Sequence, residues 1–320
     1  MKKVMKLKNQ SENISVEKAY EEYKKYQQAR NITEYSLQYY DRCMKYFKEF
    51  FDITKPCNEI TESVYIEYIT HLQGLKTIND RTINTNLKGL RTILYYFMKK
   101  GYTTKFDVFT IKADEACIET YSHDELNLLL KKPNLKTCNF VEYRTWVMEN
   151  FIMGTAARIT TTLNVKIKDL DFDNEEVLLR NVKNRKPQTN PLPTSLCKIL
   201  KEYLQYRGGS EDDYLFCNQF GNQFSRRGAQ DCIKDYNLQR GVTKTSAHMF
   251  RHTFAKLWIM NDGDIFSLQK ILGHSTLDMV KKYVSLWGDD LHIKSEKFNP
   301  LNELANNEEK KAIKILKKKL

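Results

Sequence analysis

Three short stretches of this 320-residue chain hold side chains that could act together on one phosphate. Gly154-Thr155-Ala156-Ala157-Arg158 sets an arginine among small residues after an apolar run. His248-Met249-Phe250-Arg251-His252-Thr253-Phe254-Ala255 spaces a histidine and an arginine three apart, which on a helix turns both toward a common ligand. Leu272-Gly273-His274 is followed nine residues later by Tyr283, with Gly273 ending an apolar helix and leaving the imidazole at a loop edge. Arginine forks match phosphate oxygens bidentately, better than lysine can. A phenol, with a pKa near 10, is a poor nucleophile until a base or a positive field activates it. Arginines gathered on a phosphodiester supply that field and stabilise a pentavalent transition state. The residue types therefore fit attack on a phosphodiester by the Tyr283 oxygen. His252, next to Arg251, is expected to point elsewhere on the helix and to be structural. Singly, each signal is weak: a lone arginine is usually a surface ion pair, and Tyr283 is one of 19 tyrosines. The combination and its order carry the weight.

The elements that must hold these residues divide at about residue 119. Ser15 opens a helical pattern through Val16, Ala19, Tyr20 and Tyr23, and a second follows the Asn31-Ile32-Thr33 break with Leu37, Tyr40, Met44 and Phe47. A third starts at Thr61, and a fourth runs from Asn79 to a stop at Gly101. Residues 1–13 read as a flexible start, 14–104 as a small helical domain, and 105–118 as a linker that loses periodicity. Ser122-His123-Asp124-Glu125 is a capping box that opens the second domain, 119–298. There an apolar helix, Trp146 to Met153, is closed by Gly154. The turn Asp171-Phe172-Asp173-Asn174 precedes a strand at Val177–Leu179, and a basic tip, Lys183 to Lys186, joins it to a second at Gln188–Leu192. Helices resume at Thr194 and continue to about Val284. A basic amphipathic tail helix covers 299–320, a docking segment for a neighbouring protomer or simply a disordered basic end. The expected fold is mainly α, with one small antiparallel hairpin or sheet in the C-terminal domain.

Composition narrows the partner. Apolar residues make up 41%, enough for real cores, while a net charge of +12 favours a polyanion: nucleic acid or an anionic membrane surface. Residues 1–112 carry 20 Lys and Arg against 13 Asp and Glu, over half of that excess. Arg81, Lys88, Arg91 and Lys99, with Lys186 on the hairpin tip, are candidate phosphate contacts; a merely solvated basic face is the competing reading. No apolar run is long enough to span a bilayer, and the Lys-rich start lacks a signal-peptide core, so a cytoplasmic protein is expected. Seven widely spaced cysteines without a CxxC argue against a disulfide framework or a zinc site. No GxxxxGK[ST] loop or clustered carboxylates call for ATP or a metal, so no cofactor is expected.

Across nearly its whole length the chain resembles the tyrosine recombinase (phage integrase) family. HMFRHTFA is similar to the family's HxLRHTFA box, and LGHSTLDMVKKY to its LGHxxxxxTxxxY box, downstream of an arginine in a GTxxR setting. The resemblance implies that Arg158 and Arg251 clamp the scissile phosphate, that His248 assists proton transfer, and that His274 occupies the His/Trp position. It implies that Tyr283 forms a 3′-phosphotyrosyl link, releasing a 5′-hydroxyl that Lys183 protonates as general acid, with Lys186 the competitor for that role. Two departures stand out: Thr161 where the family often has an acid three positions after the first arginine, and Ala156 for a glycine of the turn. A helical SAM-like core-binding domain and an integrase-type catalytic domain would close around duplex DNA bearing specific recombination sites. A dimer would occupy each site and a tetramer the synapse, with an accessory excisionase-like protein as a further partner. No separate arm-binding domain is expected before Ser15. An integrase or transposase of a mobile element is the first reading; an Xer-like chromosome-dimer resolvase is the alternative. A catalytically inert DNA-binding regulator and a type IB topoisomerase are the remaining competitors.

Overall fold

The computed structural model describes residues 14–114, 118–180 and 187–287, together with 295, 299 and 301. The chain divides into two units, Met1–Cys117 and Ile118–Leu320. Most of it is helical, with one small sheet.

The first unit holds four helices: α1 (Val16–Ala29), α2 (Glu34–Phe50), α3 (Glu62–Gly74) and α4 (Asp80–Lys100). Each begins at a polar residue marked in the sequence. Ser15, Thr33, Thr61 and Asn79 accept from the backbone N–H of Lys18, Ser36, Val64 and Thr82. Such a cap contributes about 1 kcal/mol. Gly101, in the left-handed region at φ 73°, ends α4. α4 is the axis of the unit and packs against α1, α2 and α3. The core is rich in rings, with Tyr23, Phe47, Tyr65, Tyr68 and Phe97 fully buried. Phe47 meets Tyr68 edge-on at 5.1 Å, one of the favoured aromatic arrangements.

The second unit opens with α5 (His123–Leu129), where the capping box of Ser122 and Glu125 is formed in both directions. α6 (Phe140–Thr155) is buried on almost every side, with Arg144 and Glu149 among its buried residues, and α8 (Thr194–Arg207), α9 (Arg226–Gln239) and α10 (Ala247–Met260) pack on it. α6 ends two residues later than the sequence suggests. Gly154 is not the stop: a side chain there would meet Leu196 Cδ2 at 2.8 Å, so the glycine serves close packing of α6 on α8. Ala156 makes the left-handed turn instead, at φ 53° and ψ 20°.

After the short α7 (Ile159–Thr162) comes a three-stranded antiparallel sheet in the order β1 (Leu170–Asp171), β2 (Glu176–Leu179), β3 (Gln188–Pro191). Val177 pairs with both Leu170 and Asn190. The hairpin is the one read from the sequence; β1 escapes that reading because two residues cannot show an alternation. Its tip, 181–186, lies outside the described residues, and so do Lys183, Lys186 and nearly all of the tail helix expected over 299–320. α11 (Ile265–Leu272) and α12 (Asp278–Trp287) complete the unit. They form a small separate core with α10, in which Ala156, Ala255, Ile259, Leu268, Leu272, Val280 and Tyr283 are buried together.

Candidate active site

α10 is the platform. Ser246 caps it by accepting from the His248 N–H, and positions 248, 251 and 252 follow at the spacing that brings side chains onto one side. Arg251 is 2% exposed. Its Nη1 donates to the Ala156 carbonyl at 2.6 Å and its Nη2 to the Leu272 carbonyl. Both acceptors lie where α6 and α11 end, where carbonyls lack partners within the helix. One guanidinium thus ties two helix C-termini to a third helix. Burial, then the charge of Arg158, lowers its pKa to about 9, which leaves it charged at neutral pH.

Arg251 Nη2 also donates to His274 Nε2 at 2.9 Å. Because an arginine can only donate, Nε2 holds a lone pair and the imidazole proton sits on Nδ1. Nδ1 is buried with no partner among the described residues. Burial first, then the charges of Arg251 and Arg158, hold His274 near a pKa of about 4, so the ring is neutral. Its position depends on Gly273, which turns at φ 57°.

Arg158 caps α7 immediately after the Ala156 turn and is partly buried, which lowers its pKa. Its charge bears on Arg251, His248, His274 and Tyr283. Tyr283, on α12, is 5% exposed. Burial raises its pKa above the ordinary phenol value, while Arg251 and Arg158 pull it down. The phenol is therefore protonated at rest, with the two arginines already supplying the field that favours its anion. His248 is exposed as a residue, yet atoms around its ring and the charges of Arg251, Arg158 and Arg226 push its pKa below the usual value.

The structure thus brings Arg158, His248, Arg251, His274 and Tyr283 together. It also corrects the expectation for His252. Rather than pointing away, its Nδ1 lies 2.8 Å from the Tyr283 hydroxyl, and its ring meets that of His248 edge-on at 4.5 Å. The signal was present in the sequence, since 248 and 252 are four apart and must share a helix face. Burial, His248 and Arg251 lower its pKa to about 4.

Two further residues hold the site and carry no signal in the sequence. Gln188 Nε2, on β3, donates to the carbonyls of Lys270 and Ile271. Asn190 Nδ2, buried, donates to the carbonyls of Thr155 and Ile271 at 2.9 Å each. β3 is thereby fastened to the ends of α6 and α11, beside Arg158 and Gly273. Thr161, at the position where an acid was expected, is buried on α7. In the first unit, Arg81, Lys88 and Lys99 are exposed along α4, with Arg81 Nε donating to the Asp114 carbonyl at 3.2 Å. Arg91 is half-buried, its charge bearing on Tyr65.

A family model described as the phage integrase family matches residues 119–287, and a second, the phage integrase SAM-like domain, matches 15–111. The chain belongs to the phage integrase family. This family, the tyrosine recombinases, consists of enzymes that transfer DNA strands, and the phenol–arginine–histidine cluster falls within its matched region. Among relatives, the chain is 25% identical to a probable integrase/recombinase of Acholeplasma phage L2 over 81% of its own length and 87% of that protein's. It is 24% identical to the tyrosine recombinase XerC of Anoxybacillus flavithermus over 82% and 90%. Its fold is similar to that of the Tn1549 transposon integrase in complex with transposon right end DNA, at TM-score 0.72 and 17% identity over 89% and 99% of the two chains. A lambda integrase dimer bound to a core site gives 0.69 at 15% identity over 87% and 81%.

Proposed function

We propose that this integrase-family chain is a site-specific DNA recombinase in which Tyr283 is the nucleophile. The single observation behind the assignment is the placement of the buried Tyr283 phenol within the field of Arg158 and Arg251, both arginines opposing the rise in its pKa that burial causes. In this reading Arg158 and Arg251 clamp the scissile phosphate, His248 assists the proton transfer, and neutral His274 offers its Nδ1–H. Oη attacks phosphorus, a 3′-phosphotyrosyl bond forms as the bond to the 5′-oxygen breaks, and the leaving oxygen takes a proton from Lys183 or, failing that, Lys186. β3, fastened beside Arg158 by Gln188 and Asn190, supports a hairpin lysine in that role. The 5′-hydroxyl of a partner strand then reverses the step. DNA binding draws on the exposed α4 stripe, where Arg81, Lys88 and Lys99 recur at intervals of 7 and 11 residues and so return to one face. Duplex DNA with specific sites, a dimer on each site, a tetramer in synapsis and an accessory excisionase-like protein complete the proposal. Action at the nucleoid follows from the proposed DNA substrate; among the described residues no helix is long and apolar enough to cross a membrane.

The test is a nicked duplex carrying a recombination junction, which traps the attached protein when the cut fragment diffuses away. Wild type forms a denaturant-resistant adduct and Tyr283→Phe forms none; an inert regulator forms none in either case. For the biological role, the phage relative supports an element-encoded integrase, and the XerC relative supports chromosome-dimer resolution. We favour the first. Sequencing of junctions from cells carrying the gene decides: circles joined at their ends support the mobile element, one fixed chromosomal site supports resolution.

A further inference from the structure

Three side chains on two helices form a chain of contacts: the His248 ring on the His252 ring, and the His252 ring on Tyr283, with centroids 4.5 Å and 5.7 Å apart. α10 and α12 pack directly on one another here. We propose that His252 positions the nucleophile, its Nδ1 accepting the hydrogen bond from the Tyr283 hydroxyl and fixing where Oη points before the phosphate arrives. This rests on the reading of Tyr283 as the nucleophile and adds a residue that reading does not use.

The protonation states allow this direction, with the phenol as donor and Nδ1 as acceptor. His252 sits among positive neighbours and buried surface, with a pKa of about 4, so it is neutral and carries one nitrogen lone pair. Burial keeps the phenol protonated, so the phenol has a proton to give. At 2.8 Å the pair is at ordinary hydrogen-bond length, with the ring proton then on Nε2. The His248 ring packs edge-on with that of His252, at 4.5 Å between centroids. A phenol pivots about its side-chain torsions unless something holds the oxygen. Arg251 and Arg158 act on Tyr283 through charge, which favours ionisation without choosing a direction for the lone pairs. A hydrogen bond chooses one. Misplacing a reacting atom by about 1 Å costs roughly 100-fold in rate, so losing this bond should matter to chemistry and not to DNA affinity.

Adduct formation on a nicked duplex is measured at saturating DNA, with the dissociation constant and thermal midpoint measured separately. His252→Leu is expected to slow attachment by roughly 10- to 100-fold with the dissociation constant unchanged. His252→Asn places Oδ1 where Nδ1 stood and should recover most of the lost rate, although an amide cannot take up a proton. Should the leucine variant not fold, His252→Gln, whose acceptor lies one bond further out, takes its place and should be slow. Attachment by His252→Leu at the wild-type rate overturns the proposal, as does a His252→Asn variant no faster than His252→Leu. Tyr283→Phe in the same assay separates the two levels: an adduct from that variant removes the nucleophile assignment itself, whereas its absence beside an unaffected His252→Leu removes only the positioning role.

Discussion

Glu149 lies on the fully buried side of α6, 0% exposed, with neither carboxylate oxygen partnered among the described residues. Burial holds its carboxyl well above the ordinary range, opposed in part by Arg240. A group whose folded pKa is raised destabilises the fold increasingly as pH climbs above the unfolded value of about 4.3. Glu149→Met, of similar volume, is expected to stabilise by about 1–3 kcal/mol, the usual cost of an unsatisfied buried polar group. The gain should grow between pH 5 and pH 8 in thermal melts; a loss of stability at either pH would contradict the reading of Glu149 as an unsatisfied buried carboxyl. At this scale the sequence was legible where chemistry depends on order along the chain. Arg158, His248, Arg251, His274 and Tyr283 could be picked out because small residues, fixed spacings and a helix-ending glycine surround them. His252 is misjudged when it is compared only with Arg251, one residue away; the comparison that counts is with His248, four residues earlier, which shares its side of α10.

Gly273 shows how an element positions a residue. It turns at φ 57°, and a Cβ there would come within 2.4 Å of Gln188 Oε1. Gly273→Ala therefore carries the strain of an L-residue in the left-handed region, about 1–2 kcal/mol, and displaces the side chain that fastens β3 to the end of α11. The thermal midpoint should fall by roughly 2–8 °C for a unit of this size, and adduct formation should fall further than stability alone explains, because His274 follows directly. An unchanged midpoint with unchanged attachment would mean that this turn does not set the imidazole. Helix starts were readable because a cap is a local bond, from Ser15, Thr33, Thr61, Asn79 or Ser122 to an N–H a few residues on. The bonds of Gln188 and Asn190 to the ends of α6 and α11 link residues some 35 to 83 positions apart, and no local pattern announces them. The stop at Ala156 was missed for the related reason that Gly154 looked like a terminator while packing against Leu196.

Across the whole molecule the site is a concentration of positive charge and neutral imidazoles, and its stability should reflect that. The folded pKa values of His252 and His274, about 4 each, lie below the unfolded value of about 6.5. The folded state then binds fewer protons, so their contribution is fully present above about pH 6.5 and is lost as pH falls toward about 4. Glu149 acts with the opposite sign over part of that range, so Glu149→Met is the proper background. In it, the thermal midpoint should drop steeply from pH 6.5 to pH 4.5, and His252→Asn with His274→Asn should flatten the drop. A profile equally steep without both histidines would contradict the account. The positive charges that lower one another's pKa values in this cluster are what a phosphodiester would neutralise, which links the cost of building it to its use. The most direct test of that use is to digest the DNA-linked protein with protease and nuclease and locate the modified residue by mass spectrometry. The account predicts a nucleotide phosphate joined to the Tyr283 oxygen through the 3′ side of the cut. A linkage on any other residue, or through the 5′ side, would contradict it.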